Sequence, residues 1–226
     1  MELSAEDKLQ DLLTALRPWL DQELAFLIDL AKHQWSARVI LAIALSESDK
    51  IKEAELLLES ILQEPVSEQK EQELSRLRAL LELAHIRMDQ MKYDVAEDFL
   101  WQARNMYPVE LTKELDFTKE DISLFIAQCR FGQGFVQDGI DRAIEILHKL
   151  QSMDAGSTRM AKVYQQLGWF YLHKMDAPAA LLNIKKAMKL APELDQQMVN
   201  DGLAAEAEGN YEQAIEHYFD SLLFNK

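Results

Sequence analysis

Cysteine is almost missing from this chain. Cys129 is the single one among 226 residues, so no disulfide forms within the chain, and a reducing compartment is the economical reading. Glycine and proline are scarce as well, at 7 and 5, which lets long stretches propagate helix without interruption. Positive charge is in deficit: 24 Lys and Arg against 39 Asp and Glu leave a net charge of −15 and a pI near 4.7. Such a surface repels phosphate backbones and anionic lipid, which argues against nucleic-acid and membrane-surface binding. Long apolar runs are missing too. The opening residues MELSAEDKLQDLLTALRPWL carry acids from position 2, so neither a secretory signal nor a membrane span is read there, and a cytoplasmic protein is expected.

What the chain does have is apolar side chains, 48% of it by the broad count, enough for a core in one long domain or two short ones. They recur at helical spacing, which predicts an all-α protein. Ser4 and Asp7 stand at capping-box spacing ahead of Leu9, Leu12, Leu13 and Leu16, and Pro18 suits the first turn of a second helix. Residues 1–33 therefore read as an N-terminal helical cap. Beyond it one phrase recurs, with a small residue one turn after a loop: KIKEAELLLESI at Ala54, KYDVAEDFLWQA at Ala96, GIDRAIEILHKL at Ala143, DAPAALLNIKKA at Ala180 and NYEQAIEHYFDS at Ala214. The intervals are 42, 47, 37 and 34 residues.

The last two of these units resemble tetratricopeptide repeats, helix–turn–helix units with a period of about 34. The fourth meets the family pattern at Tyr164, Leu167, Gly168, Tyr171, Ala180, Ile184, Ala187 and Pro192, and the fifth at Gly202, Gly209, Tyr211, Ala214 and Tyr218. The second keeps Ala84, Tyr93, Ala96, Ala103 and Pro108, and the first keeps Ala42 and Ala54. The third is the poorest match, because CRFGQGFVQDG reads as a lengthened turn. The resemblance implies a right-handed α-solenoid, with repeats near 35–66, 74–108, 118–155, 159–194 and 195–226. The packing argument agrees: small residues let two helices approach, large ones fill the rest, and one pair cannot bury both its faces, so pairs must stack. Thr118 and Asp121 form a second capping-box pair that starts the third unit, which makes 109–117 a connector. No Gly/Ser-rich or Pro-rich linker interrupts the array, so 1–226 reads as one domain.

Local arrangements that carry chemistry are missing. His33, His85, His148, His173 and His217 fall on different predicted helices, with no HExxH or His-x-x-x-His spacing, so no metal site is expected. His173 with Asp176 is a two-ligand fragment at most, and Asp176 is ordinary turn chemistry. Gly132, Gly134 and Gly139 lack the spacing and the preceding strand of a nucleotide loop, and read as a flexible turn. Cys129 lies among Phe125, Ile126 and Phe131 and reads as a buried, inert thiol. No catalytic residue and no cofactor are expected. One segment runs against the acidic background, with Arg159, Lys162, Lys174, Lys185, Lys186 and Lys189. It reads either as neutralising the acid-rich last unit or as a dock for an acidic segment.

In tetratricopeptide arrays the first helices of successive units line a groove. The resemblance places Arg78, Glu82, His85 and Asp89 there from the second unit and Gln128 from the third. It adds Lys162, Gln165, Gln166, Trp169 and His173 from the fourth, and Gln196, Asn200 and Leu203 from the fifth. Amide side chains and a Trp face suit an extended peptide, although Trp169 reads equally as core. Gln165 and Trp169 stand where a carboxylate clamp of this family needs Lys and Asn, so that subtype is rejected. The expected function is a non-enzymatic scaffold for a protein or peptide partner. The alternatives are a peptide-responsive sensor similar to bacterial quorum-sensing peptide receptors, without their DNA-binding domain, and an accessory or assembly factor. Finally, Phe219, Leu222, Leu223 and Phe224 crowd the last helix. Left wet, each forfeits roughly 1.5–3 kcal/mol, so a homodimer through the C-terminal helices is expected, with self-coverage as the alternative.

Overall fold

The structure, a computed structural model, describes residues 11–14, 27–28, 30–65, 70–108, 117–153, 156–191 and 193–222. Most of the expected cap at 1–33 lies outside the described residues, as do Leu223, Phe224 and Pro192. Two compact units divide the chain, residues 1–116 and 117–226. The first contains α1 (Trp35–Glu47), α2 (Ile51–Gln63), α3 (Lys70–Asp89) and α4 (Tyr93–Met106). The second contains α5 (Lys119–Gly132), α6 (Val136–Ser152), α7 (Ser157–His173), α8 (Ala177–Leu190), α9 (Gln196–Ala207) and α10 (Tyr211–Asp220). The described residues are all-α apart from one isolated bridge, and they stack as the helix pairs of a solenoid within each unit. No described helix is long and apolar enough to cross a membrane.

Five turns of one design make the pairs. Asp49, Met91, Gly134, Met175 and Gly209 adopt positive φ, between 58° and 90°. The following amide in each case reaches back five residues: Lys50 to the carbonyl of Leu45, Lys92 to Arg87, Phe135 to Arg130, Asp176 to Tyr171 and Asn210 to Ala205, at 2.8–3.0 Å. The left-handed residue itself donates three residues back, as Asp49 does to Ser46 and Gly134 to Phe131. These two bonds constitute a Schellman cap, which satisfies carbonyls that a helix end otherwise leaves without partners. The same residue that closes one helix then opens the next. The carbonyls of Lys50, Lys92, Phe135, Asp176 and Asn210 accept from Ala54, Ala96, Gly139, Ala180 and Ala214.

This count corrects the third repeat. Its turn is no longer than the others, and its small residue is Gly139, inside α6, with Ala143 a helical turn later. The spacing of the five small residues becomes 42, 43, 41 and 34. Seven residues before each turn stands a second small residue: Ala42, Ala84, Ala127, Gly168 and Gly202. At Gly139 the two helices come so close that a Cβ would lie 2.8 Å from the Ala127 carbonyl oxygen and 2.9 Å from the Phe131 Cβ. At Gly202 the space is filled by the Tyr218 ring, 2.5 Å from where a Cβ would sit. Thr118 accepts from the Asp121 amide, and the Asp121 carboxylate accepts from the Thr118 amide at 2.7 Å, so the expected capping box starts α5.

Each unit has its own core. In the first, Leu13, Ile28 and Ala31 join Val39, Leu41 and Leu45 of α1, Leu57, Leu58 and Ile61 of α2, and Leu83 and Ile86 of α3. Arg38 is buried at its edge; its Nε donates to the Ala31 carbonyl at 2.6 Å, and its guanidinium pairs with Glu64, which also accepts from Trp35 Nε1 at 2.7 Å. Burying that charge is tolerable because the guanidinium is paired with a carboxylate and hydrogen-bonded to backbone carbonyls. In the second unit Phe131, Ile140, Ile146, Leu147, Val163, Leu167 and Phe170 form one cluster, and Ile184, Ala187, Ala205, Ala214, Tyr218 and Leu222 form another. Tyr164 packs on both.

The C-terminus departs from its sequence reading. Phe219 packs on the last cluster, its Cζ close to Gly168. Leu222 is only 7% exposed, because residues 194 and 222 form an antiparallel bridge and the Asp195 amide donates to the Ser221 carbonyl at 2.8 Å. Leu222 is therefore covered from within the chain, so the argument for a second copy as its cap does not hold there, while Phe219 is half-buried. Beside them, Tyr218 donates its hydroxyl to Glu206 at 2.8 Å and Lys185 bonds the same carboxylate at 2.7 Å. Burial, then the Glu206 bond, push the Tyr218 phenol up to about 12. Hydrogen bonds from Lys185 and then from Tyr218 hold Glu206 below the usual carboxylate range.

Two predictions follow from this geometry. Gly139→Ala destabilises the second unit by about 1–3 kcal/mol through overpacking. Met91→Gly and Met175→Gly each gain about 0.5–1 kcal/mol by relieving a left-handed residue whose side chain is exposed. Urea midpoints at constant slope check both signs. The raised phenol and lowered carboxylate also set a pH window. Tyr218 contributes stability in full below about 10, its unfolded value, and loses it as pH rises through 12. Glu206 contributes above the ordinary carboxylate range and loses it as pH falls through its depressed value. Absorbance at the tyrosinate band reads the first: the Tyr218 phenol titrates near 12 in the parent and lower in Glu206→Gln, still raised because its burial remains.

Candidate functional site

The turn register identifies equivalent positions on the first helices. In the second unit, α7 carries Lys162, Gln165, Gln166, Trp169 and His173, the residues expected to line a groove. Gln128 of α5 donates through its side-chain amide to the Gln166 side-chain oxygen, so these two expected residues meet across α5 and α7. Each amide keeps another donor or acceptor for a ligand after that bond. Lys162, Gln165, Gln166 and Trp169 are half-buried, and His173 and Asn200 are exposed. Asn200 accepts from Gln196 on its own helix at 3.4 Å. Leu203, at the α9 position equivalent to Trp169, is 53% exposed.

Trp169 belongs partly to the core. Its ring lies 5.3 Å from that of Phe131, which in turn stacks on Phe170 at 4.5 Å. The indole also meets the His173 imidazole, 4.0 Å away between ring centroids, and the His173 Nδ1 lies 3.0 Å from the Trp169 carbonyl oxygen. The half-buried indole is thus held in a packed aromatic cluster. Asp176 does not combine with His173 in a ligand set: its carboxylate accepts from the Ala179 amide at 3.1 Å and caps α8. Among the described residues no group of three His, Cys, Asp or Glu is placed to hold a metal. Cys129 is fully buried.

Arg159, Lys174, Lys185 and Lys186 of the 159–189 segment are used within the unit. Lys185 bonds Glu206, Lys186 lies 5.2 Å from the Tyr164 ring centroid, and Lys174 donates to the Gln137 side chain at 3.1 Å. Burial pushes the Glu120 carboxyl up, but the bond from Lys149 at 2.5 Å, with Arg159 adding to it, holds it below the usual carboxylate range. That pattern favours the neutralising reading over an acidic dock in this segment.

In the first unit the face of α3 carries Arg78, Glu82, His85 and Asp89. Arg78 and Asp89 are exposed, while Glu82 and His85 are half-buried. Burial raises the Glu82 carboxyl against the pull of Arg78, and Glu47 of α1 raises it further. Burial lowers the His85 imidazole, with Asp89 opposing. Arg78 also lines a cleft of about 380 Å³ between α1 and α3, whose walls include Ser36, Val39, Ile40, Lys70, Glu71 and Leu74. The sequence reading named none of the α1 residues. The signal that finds them is the turn: at the offsets from Met175 that select Lys162, Gln165 and Gln166, the residues before Asp49 are Ser36, Val39 and Ile40. Without the left-handed residue as a fixed point, the first repeat offers too few motif positions to carry that register.

No protein-family model matches the chain, and no curated protein does. Solved structures do. The crystal structure of MamA is 17% identical over 80% of this chain and 92% of that one, with a TM-score of 0.46. The crystal structure of BtubC (BKLC) from P. vanneervenii is 21% identical, covers 91% of this chain and 87% of that one, and has a TM-score of 0.58. At that identity the likeness to BtubC shows a shared all-α fold.

Proposed function

We propose that the chain is a non-enzymatic interaction scaffold that holds a protein or peptide partner on the exposed faces of its first helices. The observation that carries this reading is the Gln128–Gln166 bond between two successive first helices, with the half-buried Trp169 on the same helix as Gln166. It is a surface of amides that can both donate and accept, next to apolar area held rigid by Phe131 and Phe170. An extended peptide backbone needs both kinds of hydrogen-bonding group in alternation and gains affinity from a preformed partner. The Schellman-capped turns support the same reading, since they fix the helices that present these side chains before any ligand arrives.

The groove is tested on residues whose removal leaves the core intact. With a partner in hand, Gln166→Ala combined with Asn200→Ala is expected to weaken binding at least tenfold, about 1.4 kcal/mol, at an unchanged melting temperature. Trp169→Ala is expected to weaken binding too, but with a loss of stability from its contact with Phe131. Undiminished affinity in the folded Gln166→Ala/Asn200→Ala chain contradicts the assignment of this surface.

A further inference from the structure

Two methionines stand where neither packing nor the backbone asks for one. Met91 and Met175 occupy the left-handed position of the second and fourth turns, at φ 58° and 63°, a conformation that favours glycine and strains any residue with a Cβ. They are also the most exposed large apolar side chains among the described residues, at 76% and 83%. A side chain left that wet adds little to folding. What each turn offers instead is an accessible thioether sulfur.

Sulfur elsewhere is better covered. Cys129 is the chain's single thiol and is fully buried, so no thiol competes for an oxidant at the surface. Met88, Met106, Met160, Met188 and Met198 are half-buried, and Met160 and Met188 pack on the two cores of the second unit. Met153, at the C-cap of α6, is intermediate at 59% exposed. Oxidation of a packed methionine sets a polar sulfoxide among apolar neighbours and disrupts them. At the two turns it disturbs nothing that holds the chain. The Met91 amide donates to the Met88 carbonyl and the Met175 amide to that of Leu172, while Lys92 and Asp176 reach back to Arg87 and Tyr171. Every one of these bonds is made by the main chain.

We propose that Met91 and Met175 are sites of reversible oxidation to methionine sulfoxide by a hydroperoxide. The sulfur lone pair attacks the terminal peroxide oxygen, the S–O bond forms as the O–O bond breaks, and a proton shift releases water or, from an alkyl hydroperoxide, the alcohol. Sulfur gives up two electrons and the peroxide takes them. The return step needs a dithiol, that of a methionine sulfoxide reductase, which removes the oxygen as water and is itself oxidised to a disulfide. Such an enzyme must enclose the sulfoxide, and an exposed side chain at a turn is enclosed without unfolding. The surface thereby exchanges two apolar points for polar ones, and back, on an unchanged fold.

Hydrogen peroxide titration of the full chain, read by intact mass and peptide mapping, tests it. Met91 and Met175 are expected to oxidise at least about fivefold faster than Met88, Met106, Met160, Met188 and Met198. The chain carrying both sulfoxides is expected to keep its circular dichroism and melting temperature. The two epimer-specific sulfoxide reductases, with dithiothreitol as the terminal reductant, are expected to return both sites to methionine in the folded chain. Met91→Leu/Met175→Leu is expected to remove the fast phase and leave the slower one unchanged. Three results overturn the proposal: half-buried methionines that oxidise as fast, a melting temperature that falls on oxidation in the parent but not in Met91→Leu/Met175→Leu, or sulfoxides at 91 and 175 that the reductases leave in place.

Discussion

The amide bond that reaches five residues back across each left-handed residue is the constraint on which the rest of this structure depends. It ends one helix at a defined carbonyl and leaves the donor residue in place to begin the next. Lys50, Lys92, Phe135, Asp176 and Asn210 have little in common as side chains, yet all five do this. The device belongs to the backbone, and it asks one position to sit at positive φ. Glycine meets that demand without strain at Gly134 and Gly209, and Asp49, Met91 and Met175 meet it at a cost. Once the turn is closed, the residues seven before and five after the left-handed position fall at fixed places on the two helices.

Those places are where the chain is small. Ala127 and Gly139 come nearly to backbone contact, and a Cβ on Gly168 would lie in ordinary contact range of the Ala180 carbonyl and the Ile184 amide. Gly202 gives its space to the Tyr218 ring instead. Close approach along one seam lets the flanking large residues interdigitate, which is where burial contributes most to stability. The exposed face of each first helix then carries whatever function requires. That face bears amides and a half-buried indole in the second unit, and a cleft lined by Val39, Ile40 and Leu74 in the first.

Much of this was legible in the residues. The fourth and fifth pairs declare themselves because Asp176 and Asn210 add side-chain caps to the backbone turn and Gly168 and Gly202 are conspicuous among few glycines. The third pair misled because Gly139 sits where the others have alanine and Ala143 sits where they have Leu58, Leu100, Ile184 and Tyr218, so the eye takes the alanine as the marker. Met91 and Met175 gave no warning of positive φ, because nothing about methionine favours it. The coverage of Leu222 was hidden for a different reason. It depends on residues 194–195 returning to residues 221–222, a contact between segments with no periodic pattern. Of the expected groove, Gln128 with Gln166 was found by register alone, whereas the cleft beside Arg78 needed the depth of Ile40 and Leu74, which periodicity does not report.

The most direct measurement is amide hydrogen exchange resolved to single residues across the third turn. The account predicts that the Phe135 and Gly139 amides are protected, Phe135 by the Arg130 carbonyl and Gly139 by the Phe135 carbonyl. It also places them among the slowly exchanging helical amides although Phe135 lies between helices. A Phe135 amide that exchanges at the rate of an open loop, with protection beginning only near Ala143, would contradict it and restore a longer, irregular third turn.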